Sequence, residues 1–201
     1  MNTLTLPVNA GDHVQGLEDS PLTLVEYGDY ECPYCGEAYP IVKRLQKKMG
    51  EDLRFVFRNF PLSEIHPHAL AAAQAAEAAG LQNRFWEMHD GLFENQDRLE
   101  DENLIVLAGK LKLDIETFKH DLSSKEVTAK LEKDFSSGIR SGVNGTPTFY
   151  INGVRHDGSY EYEDLLASLQ EQLEPTHAGW RPHDQSHKVH ERKMSHANPK
   201  R

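Results

Sequence analysis

Tyr27-Gly28-Asp29-Tyr30-Glu31-Cys32-Pro33-Tyr34-Cys35 carries both cysteines of the chain, two residues apart. Leu22 to Tyr27 is apolar and β-branched, which predicts a buried strand. Pro33 to about Lys48 predicts a helix, with Ala38, Ile41, Val42, Leu45 and Met49 as its apolar stripe. A Cys-x-x-Cys pair at a strand-to-helix junction reads as a redox dithiol. The first turn of a helix offers unpaired N–H groups and the positive end of the macrodipole. A thiolate at Cys32 is stabilised there, so its pKa should fall. Pro33 suits the first helical position, where its missing N–H costs nothing. Cys32, just before the helix, can present its sulfur to solvent and to a substrate disulfide. Cys35, one turn further in, reads as buried.

Two competing readings of the cysteines carry less weight. Tetrahedral zinc needs four ligands, and without a second Cys-x-x-Cys it would have to recruit histidines. An inert buried pair leaves the two-residue spacing unexplained. The chain has 201 residues, which suits one domain with an insertion or a tail. No stretch approaches the apolar length of a membrane-spanning helix. Met1 to Ser20 shows no basic segment followed by an apolar core, from which a cytoplasmic location is expected. In a reducing compartment a lone Cys-x-x-Cys reads as catalytic rather than as a staple. Net charge is −10, and residues 1–173 hold 16 Lys/Arg against 29 Asp/Glu. Such an acidic body argues against nucleic acid as a partner.

Outward from the motif, Asp12 to Gln15 reads as a short strand and Leu53 to Arg58 as a strong one. Pro40 should kink the helix between, and Gly50 should end it. Strand, long helix and strand predict a right-handed parallel βαβ unit. From about 64 to 142 the pattern turns helical. His66-Pro67 opens an alanine-rich helix ended by Gly80, and Phe85 to Phe93 forms a second. Leu104 to Leu111 and Ile115 to Leu122 follow, and Ser123-x-x-Glu126 reads as a capping box for a helix through Val127, Leu131 and Phe135. Thr148 to Ile151 is a strand, Asn152-Gly153 a hairpin turn and Val154 to His156 its partner. Glu161 to Leu173 is a last amphipathic helix. Residues 174–201 read as a disordered, basic, His-rich tail. His183, His187 and His190 would share one face if it were helical.

Glu26 is an anomaly, a carboxylate inside an apolar strand six residues before Cys32. It is either at an edge facing water or a buried acid of raised pKa that exchanges protons with the thiols. Pro147 on its own reads as a trans proline that starts the strand Thr148 to Ile151. His66 and His68 read as capping or solvated groups. Tyr30, Tyr34 and Phe60 read as walls of the motif or as core.

Over roughly Leu22 to Leu173 the chain resembles the DsbA-like branch of the thioredoxin superfamily. The resemblance rests on Cys32-Pro33-Tyr34-Cys35 after a strand, a helical insertion, and Gly145-Thr146-Pro147 opening the next strand. It implies an α/β thioredoxin fold, a central mixed β-sheet flanked by helices with an all-helical insertion, spanning residues 1–173. It implies thiol–disulfide oxidoreductase activity, with Cys32 as nucleophile, Cys35 as resolving thiol and Glu26 as proton acceptor. Pro147 would be cis against the disulfide and shape the substrate, and Thr146, Pro33 and Tyr34 would contact it. No metal or organic cofactor is implied, because the Cys32–Cys35 disulfide is the redox group. Expected partners are protein thiols and disulfides, with glutathione as a further candidate. Pro33-Tyr34 is the dipeptide typical of glutaredoxins, whereas strongly oxidising members carry Pro-His. The missing histidine implies a less oxidising pair. A glutathione-linked reductase and a non-catalytic metal-binding module are the rival readings.

Overall fold

The computed structural model describes residues 3–173. The expected tail at 174–201, with its histidines, lies outside the described residues. Five strands form one mixed sheet in the order β1-β3-β2-β4-β5. They are β1 (His13–Gln15), β2 (Leu22–Gly28), β3 (Leu53–Asn59), β4 (Thr148–Ile151) and β5 (Val154–Arg155). β2 and β3 pair in parallel across α1 (Pro33–Met49), and the other pairings are antiparallel. β2 is therefore central, bonded to β3 on one side and β4 on the other. That placement excludes an edge position for Glu26. At the hairpin, Asn152 and Gly153 both take positive φ, 48° and 81°, so two-residue closure needs residues that tolerate the left-handed region.

The period-2 alternation of β2 and β3 sends their side chains to two different cores. Leu22, Leu24, Phe55 and Phe57 face α1, α7 (Tyr162–Leu173) and the insertion helices α2 (Ala69–Leu81) and α3 (Phe85–Phe93). Val25, Tyr27 and Val56 face the other way, with Phe60, Val143 and Tyr150. Over that second face runs α6 (Lys125–Ser141), the last of the insertion helices after α4 (Asp101–Lys110) and α5 (Ile115–Asp121). Gly138 allows the approach, because a Cβ there would lie 2.7 Å from the Phe60 ring. Each buried Leu or Phe contributes about 1.5–3 kcal/mol.

Three local expectations are corrected. Gly80 does not end α2; the helix passes through it to Leu81, and the chain turns away at Asn83, whose φ is 60°. Arg84 N–H bonds Ala79 O and Asn83 N–H bonds Gly80 O, the paired closure that a left-handed asparagine permits. The cap of α6 is Ser124, not Ser123: its Oγ accepts from Val127 N–H at 3.2 Å, which puts the apolar Val127 in phase with Leu131. His68 stands at the start of α2, but its side chain makes no cap bond. α1 continues through Pro40 and closes at Gly50.

Candidate active site

β2 ends at Gly28, and the chain turns through Asp29–Glu31 to Cys32, an extended residue (φ −70°, ψ 121°) just ahead of α1. Pro33 occupies the first turn. Asp29 holds this turn in shape. Its Oδ1 accepts from Glu31 N–H at 2.8 Å, and its Oδ2 accepts from Leu62 N–H at 2.9 Å and pairs with His66 Nδ1 at 2.8 Å. Its own N–H donates to Cys35 Sγ at 3.4 Å. Glu31 pairs with His68 Nδ1 at 2.9 Å, which raises the pKa of that histidine.

Both cysteines are free thiols. Cys35 is fully covered, as its apolar neighbours suggested. Cys32 is only 3% exposed, which corrects the expectation of an open sulfur. The covering segment is Thr146–Pro147, joined by a cis peptide bond; Cys32 Sγ lies 3.3 Å from the Thr146 carbonyl. The two sulfurs are polarised oppositely. Cys32 is pulled down to about 5, chiefly because the Cys35 thiol donates to it. The Thr146 side chain, rather than its carbonyl, and the N–H groups of Cys35 and Tyr34 add to this and outweigh the opposing effect of burial. The helix terminus thus contributes, as the sequence suggested, but a neighbouring thiol leads. Burial pushes Cys35 well up, and the charges of Cys32 and Glu26 push it further.

Glu26 is buried on the same face of β2 as α1. Burial, with the Cys32 charge added, raises its pKa to about 8. Its Oε1 has no hydrogen-bond partner among the described residues. It lines a cavity of about 10 Å³ with Tyr39, Lys43, Gln46 and His89, room for about one water. His89 is buried, and Tyr30 Oη meets its Nδ1 at 3.1 Å. Tyr30 belongs to the wall of the site, whereas Phe60 lies in the core of the opposite face. Pro33 and Tyr34 are exposed beside the sulfurs, Tyr34 at 59%. Among the described residues, no group of three or more His, Cys, Asp or Glu is placed to hold a metal ion.

A family profile described as thioredoxin matches residues 8–171. The chain belongs to the thioredoxin family. The helices between β3 and β4 and the solved neighbours place it in the DsbA-like branch. BdbD from Bacillus subtilis is 28% identical with a TM-score of 0.75, covering 86% of this chain and 98% of that one. A thioredoxin-like oxidoreductase from Silicibacter pomeroyi is 28% identical with a TM-score of 0.74, covering 81% and 92%. In sequence the chain is also 45% identical, over 83% of its length, to part of the Na(+)/H(+) antiporter NhaA 1 of Salinispora arenicola. It spans about a quarter (26%) of that relative's length. No helix among the described residues is long and apolar enough to cross a membrane.

The structure thus gathers Glu26, Cys32, Pro33, Tyr34, Cys35, Thr146 and Pro147 at one end of the sheet. It adds three residues to which sequence reasoning gave no site role. Asp29 stands inside the motif stretch, where a polar side chain between strand and dithiol was a usable signal. His66 was noticed and set aside. Gln96, whose amide reaches the carbonyls of Tyr30 and Cys32, carries no signal in the sequence.

Proposed function

We propose that this DsbA-like thiol–disulfide oxidoreductase acts on protein thiols and disulfides, with Cys32 attacking and Cys35 resolving. The observation that carries this reading is the opposite polarisation of the two thiols. At neutral pH Cys32 is a thiolate and Cys35 a thiol. The Cys32 thiolate attacks one sulfur of a partner disulfide, whose S–S bond breaks and whose other sulfur leaves as a thiolate and takes a proton. Cys35 then gives its proton to the Glu26 carboxylate and attacks Cys32 Sγ. The mixed disulfide breaks and the second partner thiol leaves. The partner is reduced, and Cys32–Cys35 is the disulfide. In reverse the pair oxidises a dithiol, and the Glu26 carboxyl returns the proton to the leaving Cys35. A pKa of about 8 keeps both forms of Glu26 accessible near neutrality.

Thr146–Pro147 lies against Cys32, where its backbone can align an extended partner segment. An apolar groove of about 460 Å³, lined by Phe60, Leu62, Ile65, Phe135 and Ile139, ends at Val143 and Asn144 in the same loop. Room of that kind supports a polypeptide partner. A glutathione-linked turnover is the second reading and rests on the exposed Pro33-Tyr34 dipeptide.

Cys35→Ser tests the proposal. The variant should attack but fail to resolve, and so accumulate mixed disulfides with proteins, identified by mass spectrometry. Cys32→Ser should trap nothing and lose exchange. Adducts on Cys32→Ser and none on Cys35→Ser would reverse the roles. Capture of glutathione alone would favour the second reading.

A further inference from the structure

Two features near the dithiol have no part in the chemistry above. One is Gln96, in the segment after α3, whose side chain crosses to the redox turn. Its Nε2 donates to Tyr30 O at 2.7 Å and to Cys32 O at 3.0 Å. The other is Gly36, the residue after Cys35, which closes the first turn of α1. Glycine is unfavourable inside a helix. A Cβ at Gly36 would lie 2.7 Å from Gln96 Cδ and closer still to its Oε1. One explanation covers both.

We propose that Gln96 is a positioning residue for the nucleophile: its amide clamps the carbonyls of Tyr30 and Cys32, and position 36 is glycine to leave that amide room. An amide nitrogen carries two hydrogens, and both carbonyls stand within reach of it. Cys32 O also accepts Gly36 N–H at 3.1 Å, the first bond of the helix. The nucleophile's own carbonyl is thus held by two donors. Drawing its negative charge toward them reduces its repulsion of a thiolate on the same residue. The clamp is itself fixed. Asn95 Nδ2 bonds Gly91 O at 2.7 Å, Arg98 N–H bonds Asn95 O at 2.9 Å, and Leu99 is buried. Asp29 and Glu31 tie the front of the turn to the β3–α2 segment through His66 and His68. Gln96 ties its rear to the helical insertion. The insertion therefore acts on the thiolate through one amide.

This inference rests on Cys32 being the nucleophile, but its test needs no partner. Thiolate absorbance is titrated in the reduced wild-type chain, Gln96→Ala, Gln96→Glu, Gly36→Ala and the Gln96→Ala/Gly36→Ala double variant, with melting temperatures alongside. Gln96→Ala should raise the Cys32 pKa by about half to one unit, the size of one lost hydrogen bond. Gln96→Glu, which cannot donate when ionised, should raise it at least as far. Gly36→Ala should displace the amide and reproduce the shift. The double variant should match Gln96→Ala alone, because the alanine then has nothing to displace. A wild-type titration in Gln96→Ala and Gln96→Glu, whatever their melting temperatures, would overturn the proposal. So would shifts that add in the double variant, since independent effects would then be at work. Failure of Cys35→Ser to trap partners would instead count against the proposed reaction and leave these titrations unchanged.

Discussion

Glu26 and Asp12 are two buried acids on opposite faces of one sheet, and they are treated in opposite ways. Asp12, its side chain 3% exposed, meets Arg58 through two bonds of 2.9 Å, Nε to Oδ1 and Nη2 to Oδ2. Burial alone would raise its pKa, but the guanidinium outweighs burial and holds the carboxyl below its usual range. Arg58 also donates to Tyr27 Oη at 2.9 Å, and Tyr27 Oη meets Ser137 Oγ at 2.8 Å, so the pair is knitted to α6. Among the described residues, Glu26 has no cation bonded to it and its Oε1 has no hydrogen-bond partner. Asp12 is kept charged for structure; Glu26 is left near the point of gaining or losing a proton. A carboxylate satisfied by Arg58 could not act as an acceptor for Cys35, because its pKa lies too low.

The largest expected effect comes from breaking the satisfied acid. Arg58→Met leaves Asp12 buried without its cation, which should cost about 3–5 kcal/mol in chemical denaturation. With a folded pKa below the unfolded 3.8, Asp12 stabilises the native chain above that pH and loses its contribution as pH falls through the folded value. The variant should therefore gain stability on acidification where the wild type loses it. A loss under about 1 kcal/mol would show that water satisfies the pair, as at exposed ion pairs.

Relieving the unsatisfied acid should act in the other direction. The folded pKa of Glu26, about 8, lies above the unfolded 4.5. Between those values the unfolded chain binds fewer protons, so stability falls as pH rises. Glu26→Gln removes that slope and should stabilise the protein by about 2–3 kcal/mol near neutral pH. The same change should slow thiol–disulfide exchange, measured by insulin reduction, because Cys35 loses its acceptor. A variant that is no more stable and exchanges at the wild-type rate would mean that Glu26 is neither strained nor used.

The contrast also marks how far the sequence could be read. β2, α1, β3 and the β4–β5 hairpin were legible, because period, Pro33, Gly50 and Asn152-Gly153 are local signals. Glu26 stood out as a carboxylate in an apolar run, yet only the pairing of β2 with both β3 and β4 makes it central. Arg58 read as an ordinary strand residue, since its partner Asp12 lies 46 positions away. Gln96 and the turn it touches are likewise 64 to 66 residues apart. The resemblance did imply Pro147 beside the disulfide, but not that Thr146–Pro147, with Thr146 114 positions from Cys32, leaves so little of the Cys32 sulfur exposed.

The smallest expected effect tests whether an exposed charge outside both acids can set the poise. A Cys32 pKa of about 5 lies between the roughly 7 of thioredoxin and 3.5 of DsbA, so the reduction potential should fall between about −270 and −120 mV. Tyr34, 59% exposed, stands where strongly oxidising members carry histidine. In Tyr34→His a protonated imidazole would favour the Cys32 thiolate, stabilise the dithiol over the disulfide and raise the potential. At an exposed site such a charge contributes at most about 1 kcal/mol. At about 1.4 kcal/mol per 30 mV, the rise is limited to about 20 mV. It should be largest below about pH 6.5, where the imidazole is charged, and should vanish above about pH 8. Equilibration with glutathione at both ends of that range measures it. A rise near 100 mV would make the dipeptide, rather than the Cys35 thiol and the clamped turn, the main determinant of poise. No rise even at about pH 6 would show that the Tyr34 position does not act on the thiolate.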